Sequence, residues 1–158
     1  MKYQDYMIDV IQNAFDEVFR YAEAVPADKA DWKPLDAGRS VLDMTRELAK
    51  TPDWAVEVIT SAGPPEFSEE KMAEQRKEME TWKSVAECKA EAQKRLEKLF
   101  AVYRTISDEK LKETKWLPYN GGRDHTYQEM LDYPRWNANY HLGQIGYIQT
   151  LYGDKQMY

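Results

Sequence analysis

In the stretch RWNANYHLGQIGYIQTLYG, Asn137 and His141 stand four residues apart and Gln144 follows three later. On a helix those spacings set all three on one side. Steps of three and four extend that side from Met130 and Tyr133 to Ile148 and Leu151, so its ends are apolar and its middle is polar. Another face carries Trp136, Tyr140 and Tyr147, and periodicity alone leaves open which face points inward. If the polar middle enters a low-dielectric interior, each group there needs a hydrogen bond or a ligand. Glu47, one turn after Asp43 on an earlier helical segment, is a possible partner.

Two chemistries suit this set. In one, Asn137, His141 and Gln144 form a hydrogen-bonded layer that specifies helix register. In the other, the His141 ring, the Glu47 carboxylate and the Asn137 amide oxygen hold a divalent ion (Zn, Ni, Mn or Fe), with water completing its shell. Asp43, Gln144 and Tyr133 are then expected to line the cavity around them.

The elements that position these groups are helical. A chain of 158 residues suits one domain, read here as residues 1–158. Its 42% hydrophobic content is enough for a core, and its net charge of -6 argues against a nucleic-acid backbone or an anionic membrane surface as main partner. The single Cys88 excludes an intrachain disulfide and a cysteine-rich metal site. The opening MKYQDYMIDVIQNAF does not read as a signal peptide, and no apolar run reaches the roughly 18–20 residues that span a bilayer. A cytoplasmic protein is expected.

Residues 3 to 24 carry Met7, Ile8, Ile11, Phe15, Phe19 and Ala22 at helical spacing, and Pro26 ends the run. After a polar connector, Ser40 and Asp43 form a relative of the capping box. That helix shows the apolar stripe Leu42, Thr45, Leu48, Ala49, Val56 and Ile59, and Pro52 predicts a kink or restart within it. Residues 64 to 83 are highly charged and suit a short surface helix. Ser84 with Glu87 predicts a capped helix whose stripe is Val85, Cys88, Ala92, Leu96, Leu99, Phe100 and Tyr103. The Asn120-Gly121-Gly122 run predicts a turn, with Trp116, Leu117 and Tyr119 flanking a small hairpin. His125 is expected as an exposed loop residue. Thr126 and Glu129 cap the last helix, 127 to 152, which Pro134 interrupts. Four long helices with polar linkers predict a four-helix bundle.

Two passages resemble the DinB/YfiT superfamily of bacterial helical bundles. VPADKADWKPLDAGRSVLDMTRELAK is similar to the family's Trp-x-Pro stretch leading into a serine-started helix. HTYQEMLDYPRWNANYHLGQIGYIQTLYG is similar to its last core helix, with a His-x-Gly-Gln-Ile signature. Helix order and spacing match over essentially the full length. The resemblance implies an all-α, up-down-down-up bundle with long polar connectors, and a divalent metal held by three histidines. Those positions fall on Glu47, Asn137 and His141, of which only His141 keeps the family residue. Glutamate is a competent ligand and asparagine a poor one, so the resemblance implies a degenerate site.

The resemblance also implies homodimers, and thiol-dependent transferases and isomerases whose metal activates a low-molecular-weight thiol. The expected function is therefore a DinB-like protein with a degenerate metal site. The alternative is a metal-dependent thiol transferase or hydrolase acting on a small molecule, with His141 as ligand or general base and Glu47 as ligand or orienting carboxylate. Cys88, on an ordinary apolar stripe, is expected as a buried hydrophobe.

Overall fold

The computed structural model describes residues 1–66 and 68–158; Phe67, within the charged 64–83 segment, lies outside them. Helix α1 runs Tyr3–Glu23, α2 Val41–Thr60, α3 Glu69–Thr81, α4 Val85–Thr105 and α5 Tyr127–Leu151. Strands β1 (Thr114–Leu117) and β2 (Arg123–Thr126) pair antiparallel, with Lys115 opposite His125 and Trp116 opposite Asp124.

The four long helices form a square: α2 packs on α4 and α5, α1 packs on α5 and α4, and α1 and α2 sit on a diagonal. Cross-helix contacts fix their directions. The Tyr3 hydroxyl donates to Gln128 O and Gln149 donates to Tyr21 O, so α1 and α5 start and end together. Gln4 reaches Ile106 O, Gln12 meets Gln93 and Lys89 pairs with Glu23, so α4 runs against α1. Asn137 meets Thr51 and His141 meets Glu47, so α2 runs against α5. The order is up-down-down-up. Because α2 and α4 are parallel, their connection must travel the bundle's length, and α3 lies within it.

The apolar stripes account for the core. Phe15, Phe19, Ile11 and Val18 of α1, Leu48 of α2, Leu96, Leu99 and Tyr103 of α4, and Leu131 and Ile145 of α5 are fully buried. Cys88 lies among them, and burial pushes its thiol up, a buried hydrophobe as expected. The Tyr103 hydroxyl donates to Leu131 O at 2.8 Å and so remains satisfied inside. Pro52 and Pro134 are accommodated within continuous helices. The Ser40–Asp43 and Thr126–Glu129 boxes are both reciprocal. At α4, Ser84 accepts from Glu87 N, but Glu87 reaches back to Lys83 N.

The hairpin exists, and its turn needs glycine. Gly122 has φ +80, and a Cβ there would stand 2.7 Å from the Trp116 ring. Lys115 gives this hairpin a structural role: its ammonium donates to Val58 O at 2.6 Å and Ser61 O at 2.5 Å, capping α2, which has no basic residue in its last turn. His125 departs from expectation. It is a half-buried strand residue whose Nε2 is buried without a hydrogen-bond partner among the described residues.

Helix α3 fully buries no residue; Met79 packs against the core and polar contacts supply much of the rest. Arg95, 9% exposed, donates to Asp53 at 3.0 Å, to Glu78 at 2.6 Å and to Glu91, and its guanidinium lies 4.8 Å from the Trp82 ring centroid. Lys50 donates to Asp53 and Glu78. Replacing Arg95 with Ala is expected to cost about 2 kcal/mol, less than for a dry ion pair because water reaches the carboxylates. The same change should speed amide hydrogen exchange across residues 69–81. Unchanged exchange there would show that α3 is held by other contacts.

No helix among the described residues is long and apolar enough to cross a membrane.

Candidate functional site

The side of α5 that carries Asn137 and His141 faces inward: they are 3% and 1% exposed, whereas Trp136, Tyr140 and Tyr147 stand in solvent. A second buried row, Leu131, Ala138 and Ile145, lies beside the polar one. The opposing α2 presents Glu47 and, one turn later, Thr51. The Nε2 of His141 lies 3.0 Å from Glu47 Oε1, and the ring's Nδ1 lies 2.7 Å from Gln144 Oε1. The Asn137 amide nitrogen donates to Thr51 Oγ1 at 2.8 Å and to Glu47 Oε1 at 3.4 Å. Its orientation follows from its neighbours. The Thr51 hydroxyl spends its proton on Glu47 O at 2.9 Å, so both groups facing the amide are acceptors.

Arg39 completes the arrangement. It precedes the cap of α2 and folds back along the first two turns, donating Nη1 to Glu47 Oε2 at 2.6 Å and Nη2 to Asp43 O at 3.1 Å. Both Glu47 oxygens are thereby engaged. Burial alone would push its carboxyl up, but the hydrogen bond and charge of His141, then Arg39, outweigh it and hold the group at about 2.

That depression has a pH signature. The folded-state value lies below the ordinary 4.5, so the stabilisation is fully present above about pH 4.5 and is lost as pH falls through about 2. Its size is on the order of 2 kcal/mol once the solvent reaching the carboxylate is allowed for. Denaturation midpoints of wild type and Glu47→Gln should therefore converge between pH 4.5 and 2. A constant gap would contradict it.

Of the side chains expected to line a cavity, Asp43 borders a cleft, bound to Ser40 N and paired with Lys33 at 3.3 Å. Gln144 stands at the other ring nitrogen of His141. Tyr133, one turn before Asn137, is half-buried, and burial with the nearby Glu47 charge pushes its phenol far up. The cleft, about 340 Å³, lies between α2 and α3 and is lined by Arg39, Asp43, Arg46 and Glu47 with Trp54, Arg76, Met79 and Glu80. It reaches Glu47, and His141 lies behind that carboxylate. A second hollow of about 380 Å³ beside the end of α2 is lined by Lys110 among otherwise uncharged described residues and does not include Glu47 or His141.

Sequence reasoning missed Arg39 and Thr51. Thr51 was findable, four residues after Glu47 on the same helix face. Arg39 lies in a connector, where no periodicity reports which way a side chain folds.

The family model described as the DinB superfamily matches residues 11–145. The chain belongs to the DinB superfamily. Among solved structures, YfiT from Bacillus subtilis superposes with a TM-score of 0.74 at 19% identity, covering 96% of this chain and 89% of that one; it is described as a probable metal-dependent hydrolase with an unusual four-helix bundle topology. The colibactin self-resistance protein ClbS, solved with a double-stranded DNA, gives 0.66 at 13% identity, covering 93% and 95%. The mycothiol-dependent maleylpyruvate isomerase gives 0.69 at 12% identity, covering 92% of this chain and 63% of that longer one. No curated protein matches by sequence. At these identities the superpositions establish the fold that this DinB-superfamily chain shares with them.

The fold family implies a divalent metal, and the donor set tests it. At a metal centre a cation sits in the middle and every ligand aims a lone pair at it. Here the anion sits in the middle, and a guanidinium and an amide N–H donate to Glu47 while the imidazole Nε2 lies against it. Among the described residues no three His, Cys, Asp or Glu side chains stand close enough to hold a metal. The residues present do not fit a tightly held ion.

Proposed function

We propose that this chain is a small-molecule-binding bundle of the DinB superfamily whose divalent-metal centre is degenerate. Glu47, His141 and Asn137 mark its position, and a divalent ion is held there weakly at most. The observation that supports this reading is the inverted polarity around Glu47, whose two oxygens accept from the side chains that would otherwise be ligand or open position. The adjoining cleft, about 340 Å³ with Trp54 and Met79 as its apolar wall, is of a size that suits a small organic ligand. The net charge of -6 favours such a ligand over a nucleic-acid backbone. Self-association as a homodimer belongs to the same proposal, and sedimentation velocity reads it directly.

A second reading, a metal-dependent thiol transferase or hydrolase acting on a small molecule, draws on the descriptions of YfiT and the maleylpyruvate isomerase. It requires Glu47, His141 and Asn137 to exchange their present partners for a metal.

Metal content after chelator-free purification, followed by titration of Zn, Ni, Mn and Fe, separates the two. The expected result is substoichiometric metal and dissociation constants weaker than about micromolar, weakened further by His141→Ala. Stoichiometric tight binding abolished by His141→Ala would establish the second reading. Tight binding that survives that change would remove this site altogether.

A further inference from the structure

We infer that Arg39 is a built-in replacement for the metal: its guanidinium supplies Glu47 with the positive charge a divalent ion would bring, and its presence excludes that ion. The inference rests on the proposed degenerate centre and names the residue that enforces it. Three donor positions face Glu47, and they differ in how readily they could convert to metal ligands. The His141 ring can keep a proton on Nδ1, donating to Gln144 Oε1 at 2.7 Å, and offer Nε2 as a lone pair. The Asn137 amide can turn to offer its oxygen. Arg39 can do neither, because a guanidinium keeps its charge at every pH a protein survives and has no lone pair to give.

The guanidinium is also fixed in place. Its Nη1 is 2.6 Å from Glu47 Oε2, and its Nη2 is anchored to Asp43 O at 3.1 Å, so two contacts on one α2 surface hold one planar group. A cation bound between Glu47 and His141 would compete with it for the same carboxylate and would be repelled by it. Neighbouring charges do not share the role. Lys33 pairs with Asp43, and Arg46 with Asp43 and Trp82 O. Arg76, on α3, lines the cleft beside them. Among the described residues, Arg39 is the one arginine or lysine paired with Glu47.

The consequence is a site whose charge balance is complete without any exchangeable ion. Its chemistry is then that of a fixed ion pair at a cleft's edge, suited to orienting a ligand.

The test is Co²⁺ titration followed by its visible d–d absorption, with Zn²⁺ by competition, on wild type, Arg39→Ala, Arg39→Gln, Arg39→Lys and Lys33→Ala. Circular dichroism melting confirms that each is folded, and two neutral replacements keep the test open if one fails. Arg39→Ala and Arg39→Gln are expected to bind Co²⁺ at least about tenfold more tightly than wild type. Arg39→Lys, which keeps the charge, and Lys33→Ala, which removes a charge that Glu47 does not use, should stay within about threefold. Weak binding by wild type and by both neutral variants overturns this inference and leaves the degenerate-centre reading standing. Equal gains from Lys33→Ala also overturn it, since any lost cation would then serve. Tight stoichiometric binding by wild type overturns the reading beneath it.

Discussion

Glu47→Ala is expected to destabilise the protein by about 3 kcal/mol, a fall in Tm of about 6–12 °C. The truncation removes the acceptor shared by Arg39, Asn137 and His141. Arg39 is 42% exposed along its side chain and finds water again at little cost. Asn137 and His141 have no such recourse at 3% and 1% exposure. Asn137 keeps Thr51, but the His141 Nε2 loses its one hydrogen-bond partner among the described residues, and an unmet buried polar group costs about 1–3 kcal/mol. Loss of the cross-helix hydrogen bond between α2 and α5 brings the total to the stated figure. Urea denaturation measures it. A change under about 0.5 kcal/mol, the ordinary range for surface positions, would mean that Glu47 is solvated and plays no part in a network.

The second large effect concerns metal affinity. In an Arg39→Ala background, Asn137→His is expected to tighten Zn²⁺ binding by a further factor of at least about 100, since even outer-shell partners are worth about 10–100-fold. The substitution would complete a two-histidine, one-carboxylate set with an open position. The geometry is favourable, because the amide at 137 already lies 3.4 Å from Glu47 Oε1 and one helical turn before His141. Thr51 is placed to meet the other nitrogen of the new ring. In the wild-type background the same change should gain much less, because Arg39 still holds Glu47 Oε2. Competition titration against a chromophoric chelator reads both. Equal gains in the two backgrounds would show that Arg39 and the metal do not compete.

Much of this molecule was legible before its structure. Stripes at three- and four-residue steps located α1, α2, α4 and α5, because burying one face leaves that period in any sequence. Ser40, Thr126 and Asn120–Gly122 marked caps and a turn through local chemistry that needs no knowledge of the fold. The meeting of Glu47 with His141 depended on two helices chosen correctly out of four. It was reachable because α5 carries an unusual polar run, α2 offered a carboxylate one turn after Asp43, and the family resemblance placed both at one site.

The inward face of α5 was not legible. Its row Leu131, Ala138 and Ile145 is as apolar as Trp136, Tyr140 and Tyr147 are aromatic, and only packing distinguishes a buried row from an exposed one. Arg39 and Lys115 were hidden for a common reason. Both are connector or hairpin residues whose charges reach back over a helix, at Glu47 and at the carbonyls of Val58 and Ser61, and such reach leaves no periodic trace. His125 looked like an exposed loop residue beside a cap, because a four-residue strand is too short to announce itself.

The most direct test of the network is a double-mutant cycle on Glu47→Ala and His141→Ala, read by urea denaturation at pH 7. If the carboxylate and imidazole bond across the bundle, the two losses should fall short of additive by at least about 1 kcal/mol. Losses that add to within about 0.3 kcal/mol would show the two groups to be independent, and with that the charge network, the degenerate centre and the role of Arg39 would all fail.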